Sequence, residues 1–204
     1  MKPVRRLPDP KRKVLYLTFD DGPEPESTPA VLNVLARHQV RATFFTIASK
    51  AQANRPLFDQ IRAAGHGIRN HSFDHHYSQF FRGKSALKNW VARSEETLRE
   101  LLNEPSVGFR PPAGVRTPEL HSVLREMKMP LVLWNTRFFD TSFTWTRARA
   151  LKSLEHARSG DIILLHDRQT LKKLPTFIEA LEAYLERAQQ TGFKFDVLTR
   201  RLCE

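Results

Sequence analysis

Cysteine is almost absent from this chain: Cys203, beside the C-terminus, is the single one. That excludes an internal disulfide framework and leaves no thiol placed beside a base as a nucleophile. A chain without disulfides suits either side of a membrane, so the compartment stays open. No apolar run is long enough to span a bilayer, which excludes a helical integral membrane protein. The opening Met1–Arg6 stretch is basic but lacks the apolar core of a secretory signal. Either the chain works in the cytoplasm, or a leader has been removed and it works outside the cell, at the wall. No linker divides the 204 residues, so one domain is expected over residues 14–204, behind a basic, proline-containing arm at 1–13. Acidic residues are the minority, 22 against 33 Lys and Arg, for a formal charge of +11. Such a balance attracts anions: nucleic acid, an anionic membrane or an acidic polymer such as a cell-wall glycan. The basic residues are spread along the whole chain with no interleaved stacking aromatics. A generally basic surface therefore comes first, an anionic polymer second, and no specific nucleic-acid partner is expected.

Apolar strands alternate with helices along the chain. Val14–Leu17 is a buried strand that runs into Asp20-Asp21 and is stopped by Gly22-Pro23. Thr28-Pro29 opens a helix to about His38, with Thr28 as N-cap. Further strands are expected at 42–47, 67–70, 107–110, 131–134, 162–165 and 193–198. Helices are expected at 56–64, 85–102, 118–127, 147–158 and 174–190. Repeated βα units imply parallel strands. About seven of them in one short chain suggest an α/β fold, a distorted (β/α) barrel, with an open doubly wound sheet as the alternative. Both folds gather functional groups at the C-terminal ends of strands.

The polar clusters fall at those ends. Asp20 and Asp21 follow the first strand, His71 and His75 the third, Arg110 to Gly114 the fourth; Asp140 lies beyond the fifth, and His166-Asp167 ends the sixth. Two adjacent carboxylates at the end of a buried strand call for a compensating ion or proton, though a solvated Asp-Gly turn is the plainer reading of that hexapeptide taken alone. Two histidines plus a carboxylate make a metal site with open positions, zinc first and cobalt, nickel or iron next. His66 and His76 read as packing or rim residues.

In order, Thr18-Phe19-Asp20-Asp21-Gly22-Pro23, Asn70-His71-Ser72-Phe73-Asp74-His75, Phe109-Arg110-Pro111-Pro112-Ala113-Gly114 and Leu164-Leu165-His166-Asp167 resemble the motifs of the NodB-homology polysaccharide deacetylases, metal-dependent carbohydrate esterases with a distorted barrel. The resemblance implies that Asp21, His71 and His75 hold one divalent metal and that Asp20 is the general base. It implies that Arg110 holds and orients that base, that His166 is the general acid, and that Asp140 pairs with His166. It places Ala113, through its backbone N–H, Pro111 and Leu164 at the substrate. The substrate implied is a polysaccharide whose N-acetylglucosamine units lose acetate, peptidoglycan before chitin oligosaccharides or xylan, acted on by a monomer.

The chain departs from the family pattern at Ala113, where an aromatic residue is usual, and at Thr141, which follows Asp140 where a tryptophan is usual. Phe138, Phe139, Phe143 or Trp145 are the expected substitutes in the acetyl pocket, while Trp134, inside a strand, is expected in the core. The rival readings are a non-catalytic glycan- or nucleic-acid-binding barrel and a metal-free hydrolase of small cyclic amides. The full set of ligands, base and acid argues against both.

Overall fold

The computed structural model describes residues 2–7 and 11–199, so Cys203 lies outside it. Its axis is β1 (Val14–Asp20), buried along its whole length. Side chains alternate across a strand, and here both faces are covered. Leu15, Leu17 and Phe19 pack outward among residues of α1 (Thr28–Arg37), α3 (Arg55–Ala63) and α7 (Leu174–Gln190). Val14 and Tyr16 point inward with Phe45, Val132 and Ile162. Thr18 and Asp20 therefore also face the interior, at its upper end.

All named strands pair in parallel. β2 (Thr43–Thr46) and β5 (Ile162–His166) flank β1, with β3 (Gly67–Asn70) beyond β2 and β4 (Thr136–Arg137) beyond β5. β6 (Lys194–Phe195) joins the N-terminal end of β1. Single bridges from Asn70 to Phe109 and from Phe109 to Leu131 carry the sheet round towards the segment that leads into β4. The sheet thus curls into a distorted (β/α) barrel with a thin seam. Val4 bridges Val132 beside that seam, and Arg6 pairs with Asp161 at 3.0 Å, so residues 4–6 lie along the barrel.

The strands nearest the seam are shorter than the sequence suggests. The stretch 107–110 keeps bridges at one residue, Phe109, because Gly108 turns to φ +97 and Pro111 follows. The stretch 131–134 keeps bridges at Leu131 and Val132, and regular pairing resumes only at Thr136. Between them Asn135 substitutes a side chain for a backbone partner: its Oδ1 accepts from Ile162 N–H at 2.8 Å and its Nδ2 donates to Asp161 at 2.7 Å. The stretch 193–198 pairs only as β6.

The helices follow the periodicity. α4 (Lys84–Leu102) lays Leu87, Trp90 and Val91 against Leu120, Val123 and Leu124 of α5 (Pro118–Glu126). α6 (Arg147–Leu154) stops earlier than its expected end. A helix without a sequence signal, α2 (Ala48–Ala53), buries only Ala48 and Ala51. Thr28 does not cap α1; its hydroxyl accepts from Glu24 N–H at 2.8 Å and donates to the buried Asp167 carboxylate at 2.6 Å. That carboxylate, packed on Gly22, ties the turn after β1 to the end of β5.

A Cβ on Gly22 would lie 1.9 Å from Asp167 Oδ2. Gly22→Ala is therefore expected to destabilise the fold by about 1–3 kcal/mol, the usual range for overpacking. It should lower the urea midpoint with an unchanged slope; an unchanged midpoint would refute the close packing.

Candidate active site

Parallel register brings the first pair of functional groups together. Asp20 lies opposite His166 and Thr18 opposite Leu164, all on inward-facing positions at the C-terminal mouth of the barrel. Arg110 fills the interior beneath them, fully buried. Its Nη1 donates to Asp20 Oδ1 at 2.6 Å and to Thr18 Oγ1 at 2.7 Å, its Nη2 donates to the Leu133 carbonyl at 3.0 Å, and its guanidinium lies 3.7 Å over the Phe45 ring. A buried carboxylate needs such a partner. Arg110 fixes one oxygen of Asp20, and the other points to His71 Nε2, 3.8 Å away.

The next residue leaves the strand. Asp21 sits at φ 80, which swings its carboxylate away from the barrel axis towards the turn after β3. That turn is held by side chains: Asn70 Oδ1 accepts from Ser72 N–H at 2.8 Å and from the Ser94 hydroxyl at 3.0 Å, and Ser72 Oγ accepts from His75 N–H at 3.1 Å. Ser72 and His75 also take positive φ, 75 and 62. Left-handed backbone at three non-glycine positions is unfavourable and persists only where its surroundings enforce it. The result brings His71 Nε2 to 3.4 Å and His75 Nε2 to 3.2 Å from Asp21 Oδ1. His71 Nδ1 donates to the Arg110 carbonyl at 2.8 Å, the outer bond that fixes a ligand tautomer and leaves Nε2 free to coordinate.

Donor atoms of Asp21, His71 and His75 all lie within 4.8 Å of one another. Two imidazole nitrogens and a carboxylate oxygen, converging from one side, fit a divalent cation. Burial opposes the charge on Asp21, but the two facing imidazoles outweigh it and hold the carboxyl far below its ordinary range. His66 and His76 stay outside. Burial, then the charge of Arg41, pushes His66 down to about 4, and its Nδ1 accepts from Ala42 N–H at 3.2 Å. His76 is exposed.

His166 closes the other side. Its Nδ1 and its backbone N–H both donate to Asp140, each at 2.9 Å. Gln169 Nε2 donates to Asp140 at 2.9 Å as well, and Gln169 N–H donates to Ser27 Oγ at 3.1 Å. Burial would discharge the ring, but the Asp140 hydrogen bond and charge, with Asp20 and Asp21 behind them, push its pKa up to about 9. His166 is thus a charged donor at neutral pH, its Nε2 left for the cleft. Gln169 escaped sequence reasoning; a lone glutamine in a polar loop carries no signal.

These groups share one cleft of about 340 Å³, lined also by Tyr77, Ala113, Trp134, Arg137, Thr141, Leu164 and Arg168. Ala113, at φ 51, and Leu164 line that cleft. Pro111 does not line the cleft; it is buried under the turn, its carbonyl accepting from Gly114 N–H at 2.9 Å. The indole is supplied from an unexpected position. Trp134 lines the cleft because Gly114 admits its ring, where a Cβ would come within 2.8 Å. The residues expected in its place lie elsewhere: Phe138 stacks on the buried Trp145 at 4.9 Å, and Phe139 and Phe143 are exposed.

The pairing of His166 with Asp140 carries a titration test. The folded pKa is raised, so the protonated ring stabilises the fold fully below its unfolded pKa near 6.5, and that contribution is lost as pH rises through about 9. By NMR the ring should titrate near pH 9 in the metal-free native protein, and Asp140→Asn should bring it down towards or below about 6.5. An unmoved titration would show that Asp140 does not set the proton affinity.

Comparison with known proteins agrees with this geometry. The sequence model of the polysaccharide deacetylase family matches residues 8–132, which include Asp20, Asp21, His71, His75 and Arg110. A peptidoglycan-N-acetylglucosamine deacetylase of Bacillus cereus is 30% identical over 93% of this chain and 88% of its own length. A chitooligosaccharide deacetylase of Sinorhizobium fredii is 35% identical over 75% of this chain and 71% of its own. A crystal structure of a peptidoglycan N-acetylglucosamine deacetylase bound to an N-oxidanyl-benzamide superposes with a TM-score of 0.82 at 26% identity, covering 94% of this chain and 88% of that one. By sequence, fold and the arrangement of its site, the chain belongs to the polysaccharide deacetylase family.

Proposed function

We propose that this enzyme removes acetyl groups from N-acetylglucosamine units of peptidoglycan, outside the cell, with zinc as its resident ion. The observation that carries the reading is the convergence of a held carboxylate and a held imidazolium on opposite sides of one donor triad, in one cleft. The +11 charge supports an anionic wall polymer as substrate, since opposite charge concentrates it at the surface.

Asp21, His71 and His75 would hold the cation, which when bound supplies Lewis acidity to water and to an acetyl carbonyl. Asp20, with one oxygen fixed by Arg110, accepts the proton of the attacking water through the other. Water adds to the acetamide carbon, and the C–N bond then breaks. His166 delivers its proton to the departing nitrogen, which leaves as an amine rather than as an unfavourable amide anion. Asp140 balances the imidazolium before transfer and keeps its Nε2 aimed into the cleft. Leu164 and Trp134 wall the space available to the acetyl methyl.

Purified enzyme with zinc should release acetate from peptidoglycan, and chelator should stop it. Asp20→Asn and His166→Ala should each lower kcat by about 10²- to 10⁴-fold while the proteins stay folded and metal-loaded. Normal turnover by either variant would overturn the assignment. His75→Ala should lose stoichiometric zinc, by elemental analysis, yet melt with the metal-free wild type. Retention of zinc would exclude His75 from the ligand set.

A further inference from the structure

Two cationic groups in the cleft have no place in the chemistry just described. Arg137, at the end of β4, and Arg168, two residues past His166, both line the cleft beside Asp20, Asp21 and His166, and both are exposed. Among the described residues neither forms an ion pair with a carboxylate. Three neighbouring acids are already matched, Asp20 by Arg110 at 2.6 Å, Glu24 by Lys50 at 2.8 Å and Asp140 by His166 at 2.9 Å, while the exposed Glu26 shares the adjoining cleft with Arg168.

The Arg137 guanidinium is held against aromatic rings, and the Arg168 side chain rises from a held stretch of backbone. Arg137 lies 4.2 Å over the Phe139 ring and 5.7 Å from that of Trp134. Flat stacking of this kind holds a guanidinium while leaving its donors open. Arg168 is flanked by Asp167 and Gln169, both buried and hydrogen-bonded, so the backbone under it is fixed.

We propose that Arg137 and Arg168 form a carboxylate-reading rim, so that the enzyme prefers glycans bearing an acidic group beside the acetamide it cleaves. The inference rests on the deacetylase reading above and specifies its substrate class. The physical need is plain. A cleft wall without free cations would not tell an acidic sugar from a neutral one. Two guanidinium forks, each matched to the planar, bidentate geometry of a carboxylate, supply that discrimination.

The test compares peptide-free glycan chains of alternating N-acetylglucosamine and N-acetylmuramic acid, whose lactyl carboxylates are free, with the same chains after conversion to methylamides. Zinc-loaded wild type should show kcat/KM about tenfold higher on the acid form, the scale of one charge-assisted hydrogen bond. Arg137→Gln and Arg168→Gln should each shrink that ratio, mainly through a higher KM on the acid form, and the double variant should bring it to about one. Arg168→Lys should restore part of it. Equal rates for wild type on the two forms overturn the proposal, as does a double variant that keeps the preference. A variant that slows both forms equally assigns the arginines a merely structural role and also overturns it. Absence of acetate from both forms and from a neutral N-acetylglucosamine oligomer would instead defeat the deacetylase reading, and this inference with it.

Discussion

The site depends on a buried charge that cannot be left alone. Asp20 ends the inward face of a strand whose other inward residues are apolar or hydroxylic, and Arg110 makes that position tenable from inside the barrel. Removing one partner of such a pair generally costs about 3–5 kcal/mol, a large share of a domain's net stability. The same arginine contributes more than charge. Its carbonyl fixes the His71 tautomer, its side chain holds Thr18, and its Nη2 caps the Leu133 carbonyl. The residue that compensates Asp20 thus also orients His71.

His166 is held on a parallel principle, with a carboxylate in the role of the arginine. Asp140 accepts from the ring, the backbone and the Gln169 amide. Asp167 then anchors the far end of the turn that presents Asp21. β1 and β5 are adjacent and in register, so Asp20 and His166 share one reference.

Much of this was legible from sequence because strand ends and polar clusters coincide. Asp20, Asp21, His71, His75, Arg110, Asp140 and His166 could each be singled out, and the structure brings them together at the mouth of the barrel. What escaped had tertiary causes. The alanines of α2 have no bulky periodicity, and only its neighbours make it a helix. The strand containing Trp134 is broken by Asn135, whose side chain pairs with Ile162; that irregularity sends the indole to the cleft, whereas Trp145, in a polar loop, is stacked into the core. Pro111 was placed by motif alone and proves to support the turn from below. Thr28, a fair cap by composition, has its hydroxyl engaged by Asp167.

The segment 137–141 alternates in a way that separates two kinds of inheritance. Phe138 and Asp140 turn inward, to the core and to His166, while Arg137, Phe139 and Thr141 turn outward. Residues on one side pack into the core or hold His166; those on the other line the cleft or face solution. Such a segment is evolvable by halves. Its outer positions can drift to recognise a new polymer in small single steps, none of which need disturb the proton donor.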